Sequence, residues 1–490
     1  MPITNVDDIV TRLIAVLSAE TSAVTAKPGS VIHSAFILPS ATALSWDSSM
    51  LTLTQAMYSL TRLLALSSDT NFQTSVAEAL AVSVVDVQHI LSTAIERIGA
   101  NYGLTRKGPS AAYGTVYFYT TSAPGSDQSI SASTITTNTG VAFTTSDTTV
   151  LPADNIAAYY DPVLAAYSVA AAVTAVAAGS SGRVGANTLV NATGLPAGFS
   201  VTNKYAIETG YDTETDAELV ARIQTTLQGI SLQTAPGIKA TIMNNLDVRQ
   251  VLVADAQSPY QLRNNGKGGV VDIYVMDMLP VEATQVMTYN GNTVFNLQPV
   301  LDIVSIVDAN NTSLVEGTDY ALVTDTNPLT MNSTRAIDRV VWLPGGTAPV
   351  GSTTVTYVYN QMLHNVSNFI TADAYKPLMG DVTNSVLVRS GNRIDLEIGF
   401  QVVTYGNYRA SRSSILSSAT AAIEALVNAT GFGASIAESD IIAVIEAVPG
   451  VNYVPLTPTA FNIVGQAIPA LGVITAGGNE YLRVSSVILS

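Results

Sequence analysis

Through the first hundred residues apolar side chains recur at helical spacing, and from Tyr113 they recur at every second position. A chain whose hydrophobic period changes in this way has to build a helical part and a β part, each burying its own apolar face. In the helical part Val6, Val10, Leu13, Leu17 and Val24 follow the alternating three and four spacing of a coiled-coil seam, broken where Glu20 falls on it. Two further helical segments are expected, from about Ser48 to Leu66 and from Asp69 to Ile98. The second carries Phe72, Val76 and Leu80, then Leu91, Ile95 and Ile98, on one face before Gly99. Such helices pack either on their own chain or on a partner.

From Tyr113 to about Leu195, Val116 and Phe118 alternate with Tyr117 and Tyr119, and turns fall at Pro124-Gly125 and Thr139-Gly140. This reads as a compact β-rich domain. The longest uncharged apolar run, Val163 to Ala178, is Ala-rich, interrupted by Ser168 and Thr174, and shorter than the roughly 20 residues that span a bilayer. It reads as a buried strand.

The stretch from Val201 to Asp277 has the order helix, helix, strand, strand. Thr215 followed by Glu218 is a capping box, and Asp212, Glu214 and Asp216 add negative charge near the positive end of the helix dipole. Leu219, Ile223 and Leu227 form the apolar stripe, and Gly229 is the stop. A second helix starts at Thr234-Ala235-Pro236-Gly237, with Ile238, Ile242 and Leu246 as its stripe. Strands follow at Gln250 to Ala254 and Val270 to Asp277, around the turn-rich Asn264 to Gly269. The helical pair at 215 to 246 is expected to pack beside the β-rich domain.

The run Glu208-Thr209-Gly210-Tyr211-Asp212-Thr213-Glu214-Thr215-Asp216 leading into Arg222 resembles the baseplate J-like wedge proteins of contractile phage tails and related injection systems. The resemblance extends to Ala178-Gly179-Ser180-Ser181-Gly182-Arg183-Val184-Gly185, to Gly114-Thr115-Val116-Tyr117-Phe118 and to Gly140-Val141-Ala142-Phe143. It covers roughly Tyr113 to Asp277, and more loosely the region after Val386. It implies a structural subunit of a baseplate wedge with no catalytic residue; no cofactor and no metal are expected from the motifs considered below. The partners implied are other wedge proteins and further copies of the chain, with the N-terminal helices bundling with a partner. The implied location is the virion tail baseplate, assembled in the bacterial host cytoplasm.

Residues 281 to 366 read as an all-β, sandwich-like insertion, with Asn290-Gly291 as a hairpin turn between Val286-Met287-Thr288-Tyr289 and Thr293-Val294-Phe295. Mixed structure then returns. Ile394, Leu396, Ile398 and Phe400 alternate in a half-exposed strand, and Ile415, Ala419, Ile423 and Leu426 mark a helix. Another helix starts at Ser439-Asp440, a strand runs from Val451 to Val454, and Ile468 to Ser490 is an extended segment that pairs with something. The fold class expected is α+β multidomain. Its parts are a helical, bundle-forming region at 1–110, a β-rich plus α+β core at 111–280, the insertion at 281–366 and an α+β module at 367–490. Deletion of residues 1 to 100 is expected to leave the β-rich body folded.

Composition narrows the function classes. A net charge of −16 over 490 residues repels phosphate backbones and anionic lipid, so neither nucleic acid nor membrane is an expected partner. With no cysteine, disulfides and thiolate metal sites are excluded. Charged residues are only 12% of the chain, against roughly 25% in an average domain. Such a surface is either rich in hydroxyls and amides or covered by other proteins.

Sites of chemistry are not evident. Asp212, Glu214 and Asp216 sit at calcium-loop positions one, three and five, but position six is Ala217 and position twelve is Ile223 where Gly and Glu are needed. Gly179, Gly182 and Gly185 lack dinucleotide-fingerprint spacing, and Gly266-Lys267 lacks the rest of a phosphate loop. Both read as turns. His33, His89 and His364 show no zinc spacing. The alternative to a structural subunit is a β-modular receptor- or carbohydrate-binding adhesin, suggested by Tyr- and Thr-rich strands of low charge.

Overall fold

A computed structural model describes residues 6–20, 28, 30, 33–131, 133–145, 147–154, 156–228, 234–248, 250–255, 258–261, 271–276, 278–289, 293–324, 338–372, 386–406, 411–469 and 472–490. The fold is α+β and multidomain. Contacts divide it into two compact units, Met1–Gly108 with Glu214–Gln228, and Pro109–Thr213 with Gly229–Ser490.

The first unit is helical. Helices span Val6–Glu20, Leu38–Ala56, Leu60–Ser67, Thr70–Leu80, Val84–Ala100 and Asp216–Gln228, with a short π-helix at His33–Ile37. Two of the long helices expected from periodicity are broken. Leu38–Ala56 stops short of Leu60–Ser67, and Thr70–Leu80 meets Val84–Ala100 at 105°. The cause of the second break is local. Ala81 takes a left-handed conformation (φ 54°), and Ser83 with Asp86 forms a reciprocal capping box that starts a new helix. Val6, Val10, Leu13 and Leu17 are half-buried, while Val24 lies outside the described residues.

Leu53, Leu63, Phe72, Val76, Leu91 and Ile95 form this unit's core, and Leu219, Val220 and Ile223 from Asp216–Gln228 complete it. The helical pair expected beside the β-rich domain is therefore split, because its first helix buries its apolar face among the N-terminal helices. Removing residues 1 to 100 would strip that face of its cover. The stripe also departs from expectation at its end: Leu227 is 40% exposed and Val220 is buried instead. Gly229, the expected stop, lies outside the described residues.

The second unit opens with a seven-stranded sheet in which Ala111–Thr120 lies between Ala166–Ala178 and Ser200–Thr202, both antiparallel. Ala142–Thr145, Thr134–Thr137 and Leu189–Ala192 continue the sheet outwards, and Tyr160–Asp161 pairs with Ala166–Tyr167. Val116, Phe118, Ile135, Phe143, Val173 and Val201 fill one face. The Ala-rich run is correspondingly half-buried, not buried: Val173 and Ala175 point into the core while Ala172, Thr174 and Val176 are exposed.

Next, the helices Ala235–Asn245 and Gln361–Thr371 pack on a three-stranded sheet of Val251–Ala254, Val271–Val275 and Val386–Ser390. Thr234 caps the first helix by accepting from the Gly237 amide, and Ile238 and Ile242 are buried with Ile273, Val275, Val366 and Ile370. Val271–Val275 and Val386–Ser390 are parallel, so a crossover must join them. That crossover contains residues 280–360 as well as the helix Gln361–Thr371.

Residues 280–360 form a four-stranded antiparallel sheet and a hairpin, Tyr320–Val323 with Arg339–Trp342, around Met287, Phe295, Ile303, Ile306, Val355 and Tyr357. Pro280–Thr288 does not form the expected hairpin with residues 293–295. It pairs along its whole length with Ser352–Asn360, and Val294 bridges to Arg339. The Gln285 side chain substitutes for the missing ladder, donating to the Val294 carbonyl at 2.9 Å and accepting from the Asn296 amide at 2.8 Å. Asn290-Gly291 itself lies outside the described residues.

In the C-terminal part, Asn392–Phe400 pairs antiparallel with Ala460–Ile463 and parallel with Glu480–Leu489. The closing apolar segment thus pairs with its own chain. Helices Arg412–Asn428 and Glu438–Glu446 join the same core through Ile415, Ala419, Ile423, Ile441 and Ile445. Val427 is buried where the spacing predicts Leu426, and Leu426 is only partly buried.

Candidate functional site

The segment singled out by sequence, residues 208 to 218, is a series of ties. The Glu208 carboxylate, 4% exposed, accepts from the Met278 amide at 3.0 Å, from the Tyr481 hydroxyl at 3.2 Å and from the Arg393 guanidinium. Arg393 in turn donates to Asp395 at 2.6 Å. Thr209 uses its hydroxyl on both the amide and the carbonyl of Tyr113. Tyr211 exchanges backbone hydrogen bonds with Ser110, and Asp212 accepts from the amide and hydroxyl of Ser180 at 2.9 and 2.5 Å.

In the helical unit Glu214 binds Arg222 through two contacts of 2.7 and 2.8 Å and accepts from the Lys107 amide. Asp216 accepts from Arg106 at 2.6 Å and from the Ser92 hydroxyl at 2.8 Å. Thr215 and Glu218 form the expected capping box. The three acids at calcium-loop positions thus contact different partners. Among the described residues no group of three or more His, Asp or Glu is placed to hold a metal.

The glycines make close turns. Gly179 has φ 117° and a Cβ there would lie 2.6 Å from Asp212 Oδ1; at Gly182 it would meet Ala112 and Ala175 at 3.0 Å. Gly266-Lys267 lies outside the described residues. His89 is exposed, and the His33 backbone amide donates to the Ser30 hydroxyl. His364 sits with Nδ1 3.0 Å from the Gln298 carbonyl and Nε2 2.8 Å from Asn368 Nδ2, an arrangement that the Nδ1-protonated tautomer satisfies.

Beside the segment lies an open cleft of about 290 Å³ lined by Arg183, Asn187, Glu208, Arg393, Asn428 and Arg483, among others. Its guanidiniums bind the protein itself: Arg183 donates to the carbonyls of Gly210 and Asn428 and lies 4.8 Å over the Tyr211 ring, and Arg483 donates to Leu482. The cleft joins the β-rich sheet to the C-terminal part. Sequence reasoning did not find it, because Glu208 and its partners Arg393 and Tyr481 are 185 and 273 residues apart and no local signal links them.

A second group of charges is likewise assembled from residues far apart in the sequence. Lys204 Nζ lies 2.6 Å from Asp161 Oδ2 and 3.8 Å over the Tyr117 ring, with the ion pair almost wholly buried. Asp161 Oδ1 also accepts from the Val163 and Leu164 amides. Glu282 and Asp302 stand nearby, and burial pushes both carboxyls up, Glu282 to about 7.

No protein-family model matches the chain, and no curated protein matches it. Among solved structures it is similar to a chain of the anti-feeding prophage baseplate, determined by cryo-electron microscopy with six-fold symmetry. The match covers 99% of both chains at 10% identity with a TM-score of 0.29. A superposition this loose does not establish a common fold.

Proposed function

We propose that this chain is a structural subunit of the baseplate of a contractile tail or a related injection system. More finely, it is a wedge protein that forms, with other wedge proteins and further copies of itself, the ring that couples receptor engagement to sheath contraction. The observation that carries the reading is the Glu208 to Arg222 segment, which resembles the baseplate J-like wedge family and in which the acids serve as ties between elements. A subunit that transmits force through its interfaces needs this kind of internal bracing more than it needs a reactive group. The work is mechanical, no residue is catalytic, and the protein resides in the tail baseplate after assembly in the host cytoplasm. The sparse charge of the surface supports the same reading, since a covered surface does not need dense ionic groups to stay soluble.

The helix Leu38–Ala56 supplies the test. Leu44 and Leu51 recur one heptad apart and are 50% and 55% exposed, so they are available to a partner helix. The full chain is co-expressed with the products of its neighbouring genes, and the mass of the purified assembly is measured. The wild-type chain is expected to co-purify in a complex. Leu44→Ser with Leu51→Ser is expected to leave the circular dichroism unchanged and abolish that complex. Turnover of a substrate by the purified chain, or a wild-type chain that joins no tail protein, would count against the proposal.

A further inference from the structure

The insertion at 280–360 meets the seven-stranded sheet across buried charge. Within the insertion, Glu282 is opposite Val358 on one side and Asp302 is opposite Val358 on the other. Residues directly opposite in a ladder share a face, so both carboxyls leave the same side of the insertion's sheet with Val358 between them. From the other side come Asp161, Lys204, Tyr117 and Tyr205. The charged groups near Glu282 are Lys204 and Asp161, and the hydroxyls of Tyr117 and Tyr205 also feel its charge. Asp302 is held by the Ile303 backbone and the Tyr205 hydroxyl and lies near Lys204 and Asp161, and Tyr117, Tyr205 and Tyr320 of the insertion feel its charge. On Ser352–Asn360, the strand between the two acids, Val358 and Thr356 share the face and add no charge. Two neutral ties cross the same junction, Thr115 Oγ1 to the Pro280 carbonyl at 3.2 Å and Ser305 Oγ to the Ala158 carbonyl at 3.0 Å.

We propose that this junction is a proton-controlled latch, in which the insertion is held against the seven-stranded sheet while Glu282 is protonated and loosens when Glu282 ionises beside the Lys204–Asp161 pair. The charge balance sets the direction. Lys204 and Asp161 cancel, so whichever of Glu282 and Asp302 ionises adds a negative charge that the junction does not compensate. Burial is the main cause of the raised Glu282 carboxyl, Lys204 opposes it and Asp161 adds to it. A carboxyl raised in the docked state contributes stability that is fully present below its ordinary range near 4.5 and is lost as pH rises through about 7. Glu282 is partly exposed, so solvent screens part of this effect, and the expected change in protection is about tenfold or somewhat more.

Hydrogen exchange of the full chain, read by mass spectrometry and corrected for intrinsic rates, tests the latch between pH 4 and pH 8.5. Peptides from Pro280–Thr288 and Val300–Val307 are expected to lose about tenfold in protection progressively as pH rises from about 4.5 to about 7 and to lose no more above it, while Asn392–Phe400 stays unchanged. Glu282→Gln, which cannot ionise, is expected to keep full protection throughout. Equal loss in Glu282→Gln, or no loss in the wild-type chain, would overturn the proposal. A wild-type loss that begins only above about pH 7 would do so without any variant, because a carboxyl raised to about 7 has by then lost its whole contribution.

Discussion

Glu214 Oε1 and Oε2 lie 2.7 and 2.8 Å from the Nε and Nη2 atoms of Arg222, eight residues further on, and both side chains are about 5% exposed. The same carboxylate accepts from the Lys107 amide, and the guanidinium also donates to the Thr105 carbonyl. The pair therefore fixes the start of Asp216–Gln228 to the stretch that follows Val84–Ala100. Removing one member leaves a buried charge behind. Glu214→Ala is expected to lower the stability of the helical unit by about 3–5 kcal/mol. Glu214→Ala with Arg222→Met is expected to lose clearly less than the sum of the two single changes. Urea denaturation of the four proteins in a double-mutant cycle measures the difference.

The placement of Asp216–Gln228 among the N-terminal helices makes a contrast between two residues of one apparent stripe. Ile223 is fully buried and Leu227 is 40% exposed. Ile223→Ala should cost about 2–5 kcal/mol and Leu227→Ala no more than about 0.5 kcal/mol, read from the same denaturation curves. Equal losses would mean that the helix packs differently.

Gly210 has φ 99°, and a Cβ there would lie 2.9 Å from the backbone of Ala112. Backbone cannot move aside as a side-chain tip can. Gly210→Ala is expected to destabilise by about 2–4 kcal/mol, combining the conformational strain with the clash. Gly125→Ala, where a Cβ meets nothing within 4 Å, serves as the control, and thermal melting of both variants is the measurement.

In the insertion, Asp319 accepts from the amides of Thr347 and Val315, and Asp308 from those of Thr312, Val350 and Asn310. These amides hold both carboxyls below the usual range. The sign is opposite to that of Glu282: a depressed carboxyl contributes stability above about pH 4 that is lost as pH falls through its folded value. Asp319→Asn is expected to lower the denaturation midpoint at pH 7 and to flatten the acid limb between pH 5 and pH 2. An unchanged acid limb would assign the acid sensitivity elsewhere.

Much of the local structure was legible because its causes lie within a few residues. The Thr215–Glu218 box, the Thr234 cap and the alternation of Leu396, Ile398 and Phe400 are all short-range patterns that the fold uses as written. The break at Ala81 was also written, in Ser83 and Asp86, but continuous apolar spacing through Phe72 to Ile98 hid it. The hairpin at residues 286–295 failed for a different reason. There the segment after the turn bridges to Arg339 through Val294, and the Gln285 side chain takes the place of the backbone ladder expected beside Pro280–Thr288.

By itself the sequence determined several helix caps and strand alternations, that the chain is α+β with a change of period near Tyr113, and that its net charge is −16. Those properties follow from spacing, caps and composition, which act over a turn or a strand. Only the tertiary structure decided that Asp216–Gln228 joins the N-terminal helices, that Glu208 meets Arg393 and Tyr481, and that Glu282 faces Lys204. These partners lie tens to hundreds of residues apart, and which buried acid meets which cation is set by how sheets and helices pack, a choice that no local pattern records.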